Sequence, residues 1–375
     1  MSLTSYAEII SIIKAFPSFG KYVGFTPLTD GHINDTFVVE FERAEKEKKK
    51  FLLQRINTKV FKNPDELMEN IVNVTEFLRN RIVERGGDAN REALSVYKTT
   101  DGKNYYKDSR GGCWRLYNFI EDTYSLNEIS CPEVFKNAGI AFGEFQKELA
   151  SFPVEKLCET IPNFHNTISR LKDFVGAVCE NVAGRKESAL EEIEFVFERA
   201  KDCMTLVNLI DKGELPLRVC HNDTKLNNIL FDKKTDKGLC VIDLDTIMPG
   251  LSLYDFGDSI RFGASTAAED EKDLDKVHLS LDLFKNYTEG YLQSAGEALT
   301  EKEISLLPFS AKLLTLECGM RFLADFLNGD TYFKIEYPDH NLVRARTQFK
   351  LVSEMEDKMT EMDQIVEKVR KDLGI

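Results

Sequence analysis

The sequence predicts a two-lobed α+β protein, and three observations support this expectation. The chain has 375 residues, more than one hydrophobic core normally fills, so two lobes are expected. Strand-like runs separated by turn signals dominate from about residue 22 to residue 120. After Ser130 helical periodicity dominates instead. We therefore expect a β-rich lobe at residues 1–120, with an antiparallel sheet and one helix, and a larger, mostly helical lobe at residues 121–375.

The N-terminal lobe is predicted from alternating strands, one capped helix and a tight turn. Two strand-like runs, INDTFVVEF and KFLLQRI, are joined by the charged run ERAEKEKKK, which is most simply a solvated hairpin loop. A helix is expected at 63–82, because Asn63 is a suitable cap and Pro64 suits a first helical turn. Asp101-Gly102 then indicates a hairpin turn, and CWRLYNFIE supplies another strand.

The C-terminal lobe is predicted to be helical with one β island. The island runs from Val219 to Asp243 and contains an unusually polar stretch between apolar residues. Helical periodicity is expected at 132–150, 163–182, 187–211, 276–297 and in three segments between 301 and 371.

Composition excludes several classes of protein. A formal net charge of −14 argues against general nucleic-acid binding, which depends on basic patches. The eight cysteines have no C-x-x-C spacing, so neither a zinc ribbon nor a disulfide framework is indicated. The N-terminus is typical of an amphipathic helix and not of a signal peptide, and no apolar run is long enough to span a membrane. We expect a reduced, cytoplasmic protein with no membrane partner; its oligomeric state is not fixed, and a monomer is compatible.

The residues that carry chemistry lie in the β island, in the stretch HNDTKLNNILFD. Asp223 is followed by Lys225 at two positions and Asn228 at five, and Asp243 comes twenty positions on, in VIDLD. Phosphoryl transfer from a nucleotide needs one carboxylate to take the proton of an acceptor hydroxyl and two oxygen ligands to hold magnesium. Lys225 can reach the migrating phosphoryl group and offset its charge. The simpler alternative, a capped turn with Asp223 on the surface, does not explain all four residues together.

This spacing matches the catalytic loop H-R-D-x-K-x-x-N of protein kinases, with DLD in place of D-F-G. The segments HNDTKLNNILFD, VIDLDTIMPGLSLYDFGDSIRFG and GHINDTFVVEF together resemble the aminoglycoside phosphotransferase and choline kinase group. More closely, they are similar to the bacterial N-acetylhexosamine 1-kinases, and the resemblance extends over most of the chain. It implies a protein kinase-like fold in which residues 1–120 bind the nucleotide and residues 121–375 bind the acceptor.

The resemblance implies a catalytic and metal set and a nucleotide flap. Asp223 would be the catalytic base, and Asn228 and Asp243 would hold Mg²⁺ against ATP. TDGHINDTF takes the place of the glycine-rich flap, but Gly31 is its only glycine, so the flap would also depend on polar side chains. These are His32, which the resemblance brings to the sugar, and Asn34 and Thr36; turn chemistry alone is an equal explanation for Asn34.

The remaining nucleotide contacts are expected from the strands. The third strand of kinases carries a lysine that pairs with a helix glutamate; here Arg55 is the cation in FLLQRIN, and Glu69 is its expected partner. A surface arginine on an alternating strand would give the same sequence. The adenine is expected against backbone groups of about Asn118, Phe119 and Ile120, at the connection between the lobes.

For the acceptor, the resemblance points to Arg321 and Tyr332, with Phe262 against the sugar. A fork of donors and an aromatic face suit a hexopyranose. The alternatives are that Arg321 neutralises a helix carboxylate and that Tyr332 fills core. Asp245 lies two residues beyond Asp243 and could approach metal or acceptor, whereas Asp255 is expected to anchor the catalytic loop by hydrogen bonds.

The leading hypothesis is an ATP-dependent kinase for the anomeric hydroxyl of N-acetylglucosamine or N-acetylgalactosamine. A second hypothesis keeps the fold and changes the acceptor to an aminoglycoside, choline or another amino-alcohol, which a pocket lined by Arg321 would oppose. A third is a nucleotide-binding scaffold that has lost catalysis, against which the intact Asp223, Lys225, Asn228 and Asp243 argue.

Overall fold

The computed structural model of the protein describes residues 6–28, 33–44 and 46–375. The chain divides into two compact units. Unit 1 comprises Met1–Thr123, Glu155–Ile161 and Ile242–Ile247, and unit 2 comprises Tyr124–Val154, Pro162–Val241 and Met248–Ile375. The N-terminal unit is thus completed by two short segments that come later in the chain.

Unit 1 combines helices with an antiparallel sheet, as expected. Its elements are α1 (Tyr6–Ile13), β1 (Lys21–Leu28), β2 (Asp35–Glu42), β3 (Lys48–Ile56), α2 (Pro64–Glu84), α3 (Ala89–Glu92), β4 (Tyr106–Lys107) and β5 (Cys113–Asn118). The five strands form one sheet in the order β1-β2-β3-β5-β4. The two strand-like runs are antiparallel neighbours, so the predicted hairpin is confirmed.

The sheet of unit 1 has one apolar face and one partly polar face, because side chains alternate along each strand. Phe37, Leu53 and Leu116 lie on the apolar face, in a core that also includes Ile9 and other residues of α1. On the opposite face the register aligns Thr36 with Gln54 and Gln54 with Arg115. That polar row crosses three neighbouring strands.

Helix α2 begins as the sequence predicts and ties the later segments into unit 1. Pro64 occupies the first turn, and the Asn63 side chain accepts a hydrogen bond from the Glu66 N–H. Asn70 is fully buried, and its amide donates to the carbonyl groups of Cys158 and Ile247 at 2.7 and 3.0 Å. It also accepts from the Cys158 N–H at 2.8 Å. One helix side chain therefore fixes both inserted segments.

Unit 2 is mostly helical, with short strands around one polar loop. After β6 (Thr123–Tyr124), its elements are α4 (Pro132–Glu148), α5 (Thr167–Glu180), α6 (Leu190–Glu198), α7 (Thr205–Asp211), β7 (Arg218–Cys220), β8 (Ile229–Asp232), β9 (Gly238–Val241), β10 (Met248–Gly250), α8 (Ser252–Gly263), α9 (Leu281–Ala295), α10 (Glu301–Ser305), α11 (Leu307–Leu327), α12 (His340–Asp357) and α13 (Met359–Leu373).

The long helix α11 organises the core of unit 2. It packs against α5, α8 and α12, and its Leu316, Met320 and Leu323 join one buried cluster with Phe174 and Phe349. The strands form two small sheets: β7 pairs with β10, and the other sheet has the order β6-β8-β9. The polar stretch that the sequence singles out lies between β7 and β8.

Two expectations for unit 2 need correction. The predicted helix at 187–211 is two helices, α6 and α7, separated by short 3₁₀ turns. Helix α8 was not predicted, because nearly all its residues are buried and its sequence therefore lacks the polar stripe of a surface helix. Among the helices of the described residues, none is long and apolar enough to cross a membrane.

Candidate active site

The loop between β7 and β8 is anchored by Asp255 of α8. The carboxylate of Asp255 accepts hydrogen bonds from the backbone N–H groups of His221 and Asn222 at 2.9 and 2.8 Å. The Thr224 hydroxyl donates to the Asp255 carbonyl at 2.6 Å, and the Gln146 amide donates to its carboxylate at 2.9 Å. Burial raises the pKa of Asp255, against the lowering influence of His221 and these donors. The predicted anchoring role is confirmed by these contacts.

His221 and Asn222 shape the turn before Asp223. His221 is fully buried against the rings of Phe142 and Phe145, and its Nδ1 accepts from the Asp223 N–H at 3.2 Å. Asn222 has a left-handed backbone, with φ of 64°, and its amide donates to the Cys220 carbonyl at 3.2 Å. Asparagine is the side chain, after glycine, that best tolerates this conformation. No role for Asn222 was predicted from the sequence, and the left-handed backbone conformation supplies one.

The side chains of Lys225 and Asn228 converge on the Asp223 carboxylate. Lys225 Nζ lies 2.8 Å from Asp223 Oδ1. Asn228 Nδ2 donates to the Asp223 carbonyl at 2.8 Å and to Asp223 Oδ2 at 3.2 Å, which leaves Asn228 Oδ1 as an acceptor. Both Asp223 and Lys225 retain solvent access, with 29% and 36% of their side chains exposed. A partly exposed carboxylate held by a cation and an amide can accept a proton from a bound hydroxyl.

A second layer of charge supports Lys225. Burial lowers the pKa of Lys225, but the charges of Asp223 and Asp258 outweigh this effect, so the pKa is raised. Arg261 donates to Asp258 and to Glu269, each at 2.8 Å. Although burial acts in the opposite direction, Arg261 and Lys225 hold the pKa of Asp258 below its usual value. Lys225 therefore stays a cation throughout the neutral pH range.

Arg321 lies among aromatic rings and does not pair with a helix carboxylate. Its guanidinium carbon is 5.6 Å from the ring centroids of Phe164 and Phe333, and 6.0 Å from that of Tyr332. Among the ion pairs and hydrogen bonds of the described chain, none involves its guanidinium. Tyr332 is 70% exposed, so it does not fill core. Both alternatives for these residues are therefore excluded by their surroundings.

The segment that carries Tyr332 is held by a buried carboxylate. Asp325 of α11 accepts from the backbone N–H groups of Thr331, Tyr332 and Phe333 at 2.9, 2.8 and 2.9 Å. The Asn341 amide donates to the same carboxylate at 2.9 Å. An exposed aromatic ring thus stands on a fixed backbone. The sequence did not single out Asp325.

Asp243 and Asp245 lie in unit 1, where the structure gives the second of them a defined partner. Asp243 has a left-handed backbone with φ of 59°. Asp245, with 5% of its side chain exposed, accepts from the Arg115 guanidinium and from Asn34 Nδ2, the latter at 2.6 Å. Asn34 Oδ1 accepts from the Asn57 N–H at 2.9 Å. The Asp245 carboxylate is therefore hydrogen-bonded to protein donors. Asn34 does more than form a turn, because its side chain also bonds to Asp245 and Asn57.

The predicted Arg55–Glu69 pair is wrong. Arg55 lies opposite Asp35 in the β2–β3 register and pairs with it at 3.9 Å, on the face that holds the α1 core. The cation on the α2 face is Arg115 of β5, 1% exposed, whose Nη1 lies 3.9 Å from Met68 of α2. Strand alternation explains the error, since adjacent positions on a strand point to opposite faces.

Arg115 is the functional candidate that the sequence missed in this unit. Its Nε and Nη2 donate to Gln54 Oε1 at 3.1 and 2.9 Å, and Gln54 donates to the Thr36 hydroxyl at 3.1 Å. Burial lowers the pKa of Arg115, but the charge and hydrogen bond of Asp245 outweigh it and the pKa is raised. The available signal was an arginine inside an otherwise apolar strand, CWRLYN.

For the other predicted ligand contacts within the described residues, the structure shows the position of the residue but no evidence of its role. Gly31 and His32 lie outside the described residues. Asn118 uses its side chain to accept from the Ser95 N–H at 2.6 Å and to donate to the Asn90 carbonyl at 3.1 Å. Phe119 and Ile120 follow β5 directly, and Phe262 is half-buried near the end of α8. Their predicted contacts with ligands stay predictions.

Comparison with known proteins places the chain in a fold class and a family. An aminoglycoside phosphotransferase from Alicyclobacillus acidocaldarius subsp. acidocaldarius DSM 446 superposes with a TM-score of 0.57 at 11% identity, over 97% of this chain and 96% of that one. A choline kinase from Cryptosporidium parvum Iowa II gives 0.57 at 16% identity, over 99% and 100%. A spectinomycin phosphotransferase, solved with ADP and spectinomycin, gives 0.52 at 12% identity, over 92% and 98%.

These likenesses confirm the two-lobed, protein kinase-like fold, with its antiparallel sheet and helical lobe. The model of the phosphotransferase enzyme family (APH) matches residues 24–288. The matched segment is well over half of the chain and includes the anchored loop with Asp223, Lys225 and Asn228 as well as Asp243. On these grounds the chain belongs to the phosphotransferase enzyme family.

Proposed function

We propose that the protein transfers the γ-phosphate of ATP to a sugar hydroxyl, the anomeric hydroxyl of N-acetylglucosamine or N-acetylgalactosamine. The observation that carries the reaction type is the convergence of Lys225 and Asn228 on the partly exposed Asp223 carboxylate. Membership of the phosphotransferase enzyme family supports the same reaction. The sugar specificity rests on Arg321 and its aromatic neighbours, together with the sequence resemblance.

In this mechanism Asp223 aligns the acceptor hydroxyl and takes its proton as the bond to phosphorus forms. Lys225, 2.8 Å from Asp223, offsets negative charge on the transferred group. The anchored backbone of His221 and Asn222 keeps the carboxylate in place, so little reorganisation accompanies the reaction. The loop supplies a base and oxygen ligands, and transfer is direct, without a phospho-enzyme.

We assign Asn228 and Asp243 as the residues that would hold Mg²⁺. The donor set fits a hard cation, because an amide oxygen and a carboxylate are oxygen ligands, and Asn228 Oδ1 is the acceptor left over when Nδ2 bonds to Asp223. Asn228 directly precedes β8, and Asp243 follows β9 by two residues; these strands pair, Ile229 opposite Val241. Within the described residues no cluster of three His, Cys, Asp or Glu side chains offers another metal site. Bound magnesium neutralises phosphate charge.

For the nucleotide, we propose contacts from the flap and from the chain after β5. The flap contributes Gly31, Asn34 and Thr36, and the backbone of Asn118, Phe119 and Ile120 receives the adenine. One structural neighbour was solved with ADP bound, which supports a nucleotide in this fold. Arg55 and Glu69 stay proposed nucleotide contacts, although they do not pair with each other. Arg115 holds the Asp245 carboxylate through a buried ion pair within unit 1.

For the acceptor, we propose Arg321, Tyr332, Phe262 and His32 as sugar contacts. A guanidinium that makes no ion pair in the described chain offers donors to hydroxyl and amide oxygens, and an exposed ring on a fixed backbone suits the apolar face of a hexose. The same guanidinium opposes a cationic acceptor. Aminoglycosides, choline and other amino-alcohols are therefore the second candidates, favoured by what the structural neighbours act on.

The reaction is tested by replacing Asp223. Asp223→Asn is expected to abolish turnover while ATP still binds, because the amide keeps the shape but cannot take the proton. Magnesium-dependent ADP release and nucleotide binding by calorimetry measure the two effects. Asp211→Asn, an exposed carboxylate at the end of α7, is the matched control and should match the wild type. Near-normal turnover by Asp223→Asn would contradict the mechanism.

The acceptor is tested with a panel. N-acetylglucosamine and N-acetylgalactosamine are expected to give magnesium-dependent ADP release and a sugar 1-phosphate, identified by phosphorus NMR. Faster turnover of aminoglycosides or choline would replace the sugar proposal and leave the phosphotransferase intact. Absence of ADP release with every acceptor would favour the third hypothesis, a nucleotide-binding scaffold that has lost catalysis.

A further inference from the structure

Arg170, in the first turn of α5, lies beside Arg321 in unit 2. The Arg170 Nε and Nη2 groups donate to the Phe164 carbonyl at 3.0 and 2.7 Å, and the guanidinium of Arg321 faces the ring of the same Phe164 at 5.6 Å. Phe164 therefore contacts both arginines, Arg170 through its carbonyl group and Arg321 through its ring. Neither the sequence motifs nor the proposed mechanism uses Arg170.

The two arginines interact as like charges. Burial lowers the pKa of Arg170, and the charge of Arg321 lowers it further, against the opposing influence of Glu317, Asp173 and Tyr332. Two guanidinium groups that share a neighbour repel each other. A ligand oxygen that accepts hydrogen bonds from them would offset this repulsion.

The nearby carboxylates do not neutralise both arginines. Glu317 of α11 lies 3.9 Å from Arg170 Nε, but both its oxygens also lie 3.1 Å from His165 Nδ1. Asp173 lies 3.9 Å from Arg170 Nη1 and is itself two-thirds exposed. Within the described chain neither carboxylate forms an ion pair with Arg321.

The arginines are connected to the catalytic loop through His165. Its Nε2 lies 3.5 Å from the Asn222 carbonyl, directly before Asp223, and its ring lies edge-on to Phe164 at 4.6 Å. Glu317, which Arg170 contacts, faces the other side of the same imidazole. A continuous series of contacts in unit 2 therefore runs from the Asp223 loop to Arg170 and Phe164.

We propose that Arg170 is a specificity-determining residue: with Arg321 it forms a pair of cations that admits acceptors presenting amide or hydroxyl oxygens and excludes acceptors that carry an ammonium group. This inference rests on the proposed function and deepens it. Guanidinium donors match carbonyl lone pairs, whereas an ammonium at the same place would meet two like charges in a partly desolvated site. The site thereby separates an N-acetylated hexosamine from the free amine.

The experiment compares galactosamine with N-acetylgalactosamine at about pH 6.5, where the sugar amine is protonated, and at about pH 9, where it is neutral. The quantity measured is the ratio of kcat/KM for the two sugars, so that pH effects on the enzyme itself cancel. In the wild type, kcat/KM for galactosamine divided by kcat/KM for N-acetylgalactosamine is expected to rise at least tenfold from the lower to the higher pH, which corresponds to about 1.4 kcal/mol. In Arg170→Gln the rise should shrink several-fold, because one of the two opposing charges is gone.

Three variants control the comparison. Arg170→Lys keeps the charge and is expected to keep the pH-dependent rise, which a purely structural role of the Phe164 contact would not predict. Arg321→Gln removes the other charge and should act like Arg170→Gln, so the proposal stays testable if Arg170→Gln does not fold. Arg346→Gln removes an arginine on α12 that pairs with Glu192, outside this cluster, and should match the wild type.

Two outcomes separate the inference from the proposed function. If both sugars are phosphorylated and their ratio changes with pH identically in the wild type, Arg170→Gln and Arg321→Gln, the charge selection is refuted while the sugar kinase stands. If no hexosamine is phosphorylated but choline or an aminoglycoside is, the proposed function fails and the inference fails with it.

Discussion

At the scale of the residue, the catalytic loop shows why so many polar groups lie between two apolar strands. Asp223, Lys225 and Asn228 bond to one another, and His221 accepts from the loop backbone. Asn222 supports the backbone conformation of the loop, because its φ of 64° lies in the left-handed region, which asparagine tolerates better than most side chains. Polar side chains here are satisfied by their own loop, which is the condition for burying them.

The left-handed backbone of Asn222 leads to a stability prediction. Asn222→Gly should be tolerated, because glycine adopts positive φ without strain, whereas Asn222→Ala should lower the free energy of unfolding of its domain by about 1–2 kcal/mol more than the glycine variant. Urea denaturation of both variants measures the difference. Asn227→Ala, two residues into the next turn and without positive φ, is the control. Equal losses for alanine and glycine at Asn222 would show that backbone strain is not the deciding factor.

At the scale of the element, two helices of unit 2 carry the polar residues that surround the Asp223 loop and the Tyr332 segment. Helix α8 presents Asp255 to the loop backbone, and α11 presents Glu317, Arg321 and Asp325 along its length. Both helices are buried on most sides, so their polar residues are fixed by packing. A rigid helix places a side chain more reproducibly than a loop, which suits residues that position others.

The role of α8 is tested by replacing its anchor. Asp255→Asn turns a carboxylate that accepts from two backbone N–H groups and Gln146 into an amide with one acceptor oxygen. We expect kcat to fall at least tenfold and the free energy of unfolding to fall by about 2–3 kcal/mol, since hydrogen bonds to a charged acceptor are lost. ADP release and denaturant unfolding are the measurements, and hydrogen exchange at residues 221–224 should rise. Unchanged exchange there would argue against anchoring.

At the scale of the whole molecule, stability at low pH depends on buried carboxylates that link distant parts of the chain. Glu303 of α10 forms a two-pronged pair with Arg218 of β7, at 2.6 and 2.7 Å, and accepts from Ser252 at the start of α8 at 2.7 Å. Burial alone would raise the pKa of Glu303, but Arg218 and the other donors outweigh it, so the pKa is lowered. Elsewhere in unit 2, Lys358, His278 and Lys350 likewise outweigh burial and lower the pKa of Glu354 to about 2.

The pH dependence follows from these directions. A carboxylate whose pKa is lower in the folded state contributes stability above its ordinary value, and this contribution is lost as the pH falls through the folded pKa. The wild type should therefore lose stability below about pH 4.5. Glu303→Gln should lower the free energy of unfolding by about 3–5 kcal/mol at pH 7, because Arg218 loses its charged partner. The variant should also lose less stability than the wild type as the pH falls from 7 to 3. Urea midpoints from pH 7 to pH 3 measure both effects. A loss of stability towards pH 3 as large as that of the wild type would refute the contribution of Glu303.

Much of the fold was predictable because its signals are local. The alternation of apolar and polar residues predicts β2 and β3, and Asn63 and Pro64 mark the start of α2. The spacing from Asp223 to Asn228 indicates the type of reaction. Helix α8 escaped prediction because a helix buried all round has no polar stripe. Arg115 escaped it because a single charged residue within a strand does not reveal its partner.

The sequence by itself indicated the two-lobed fold, from the change of periodicity along the chain, and the phosphotransferase reaction type, from the spacing of polar residues within one short segment. Only the tertiary structure decided that Arg115 and not Arg55 occupies the α2 face, that Asp245 is held by Arg115 and Asn34, and that Arg170 lies beside Arg321. The reason is physical: the role of a charged residue depends on its partner, and folding brings these partners together from positions between 47 and 211 residues apart along the chain.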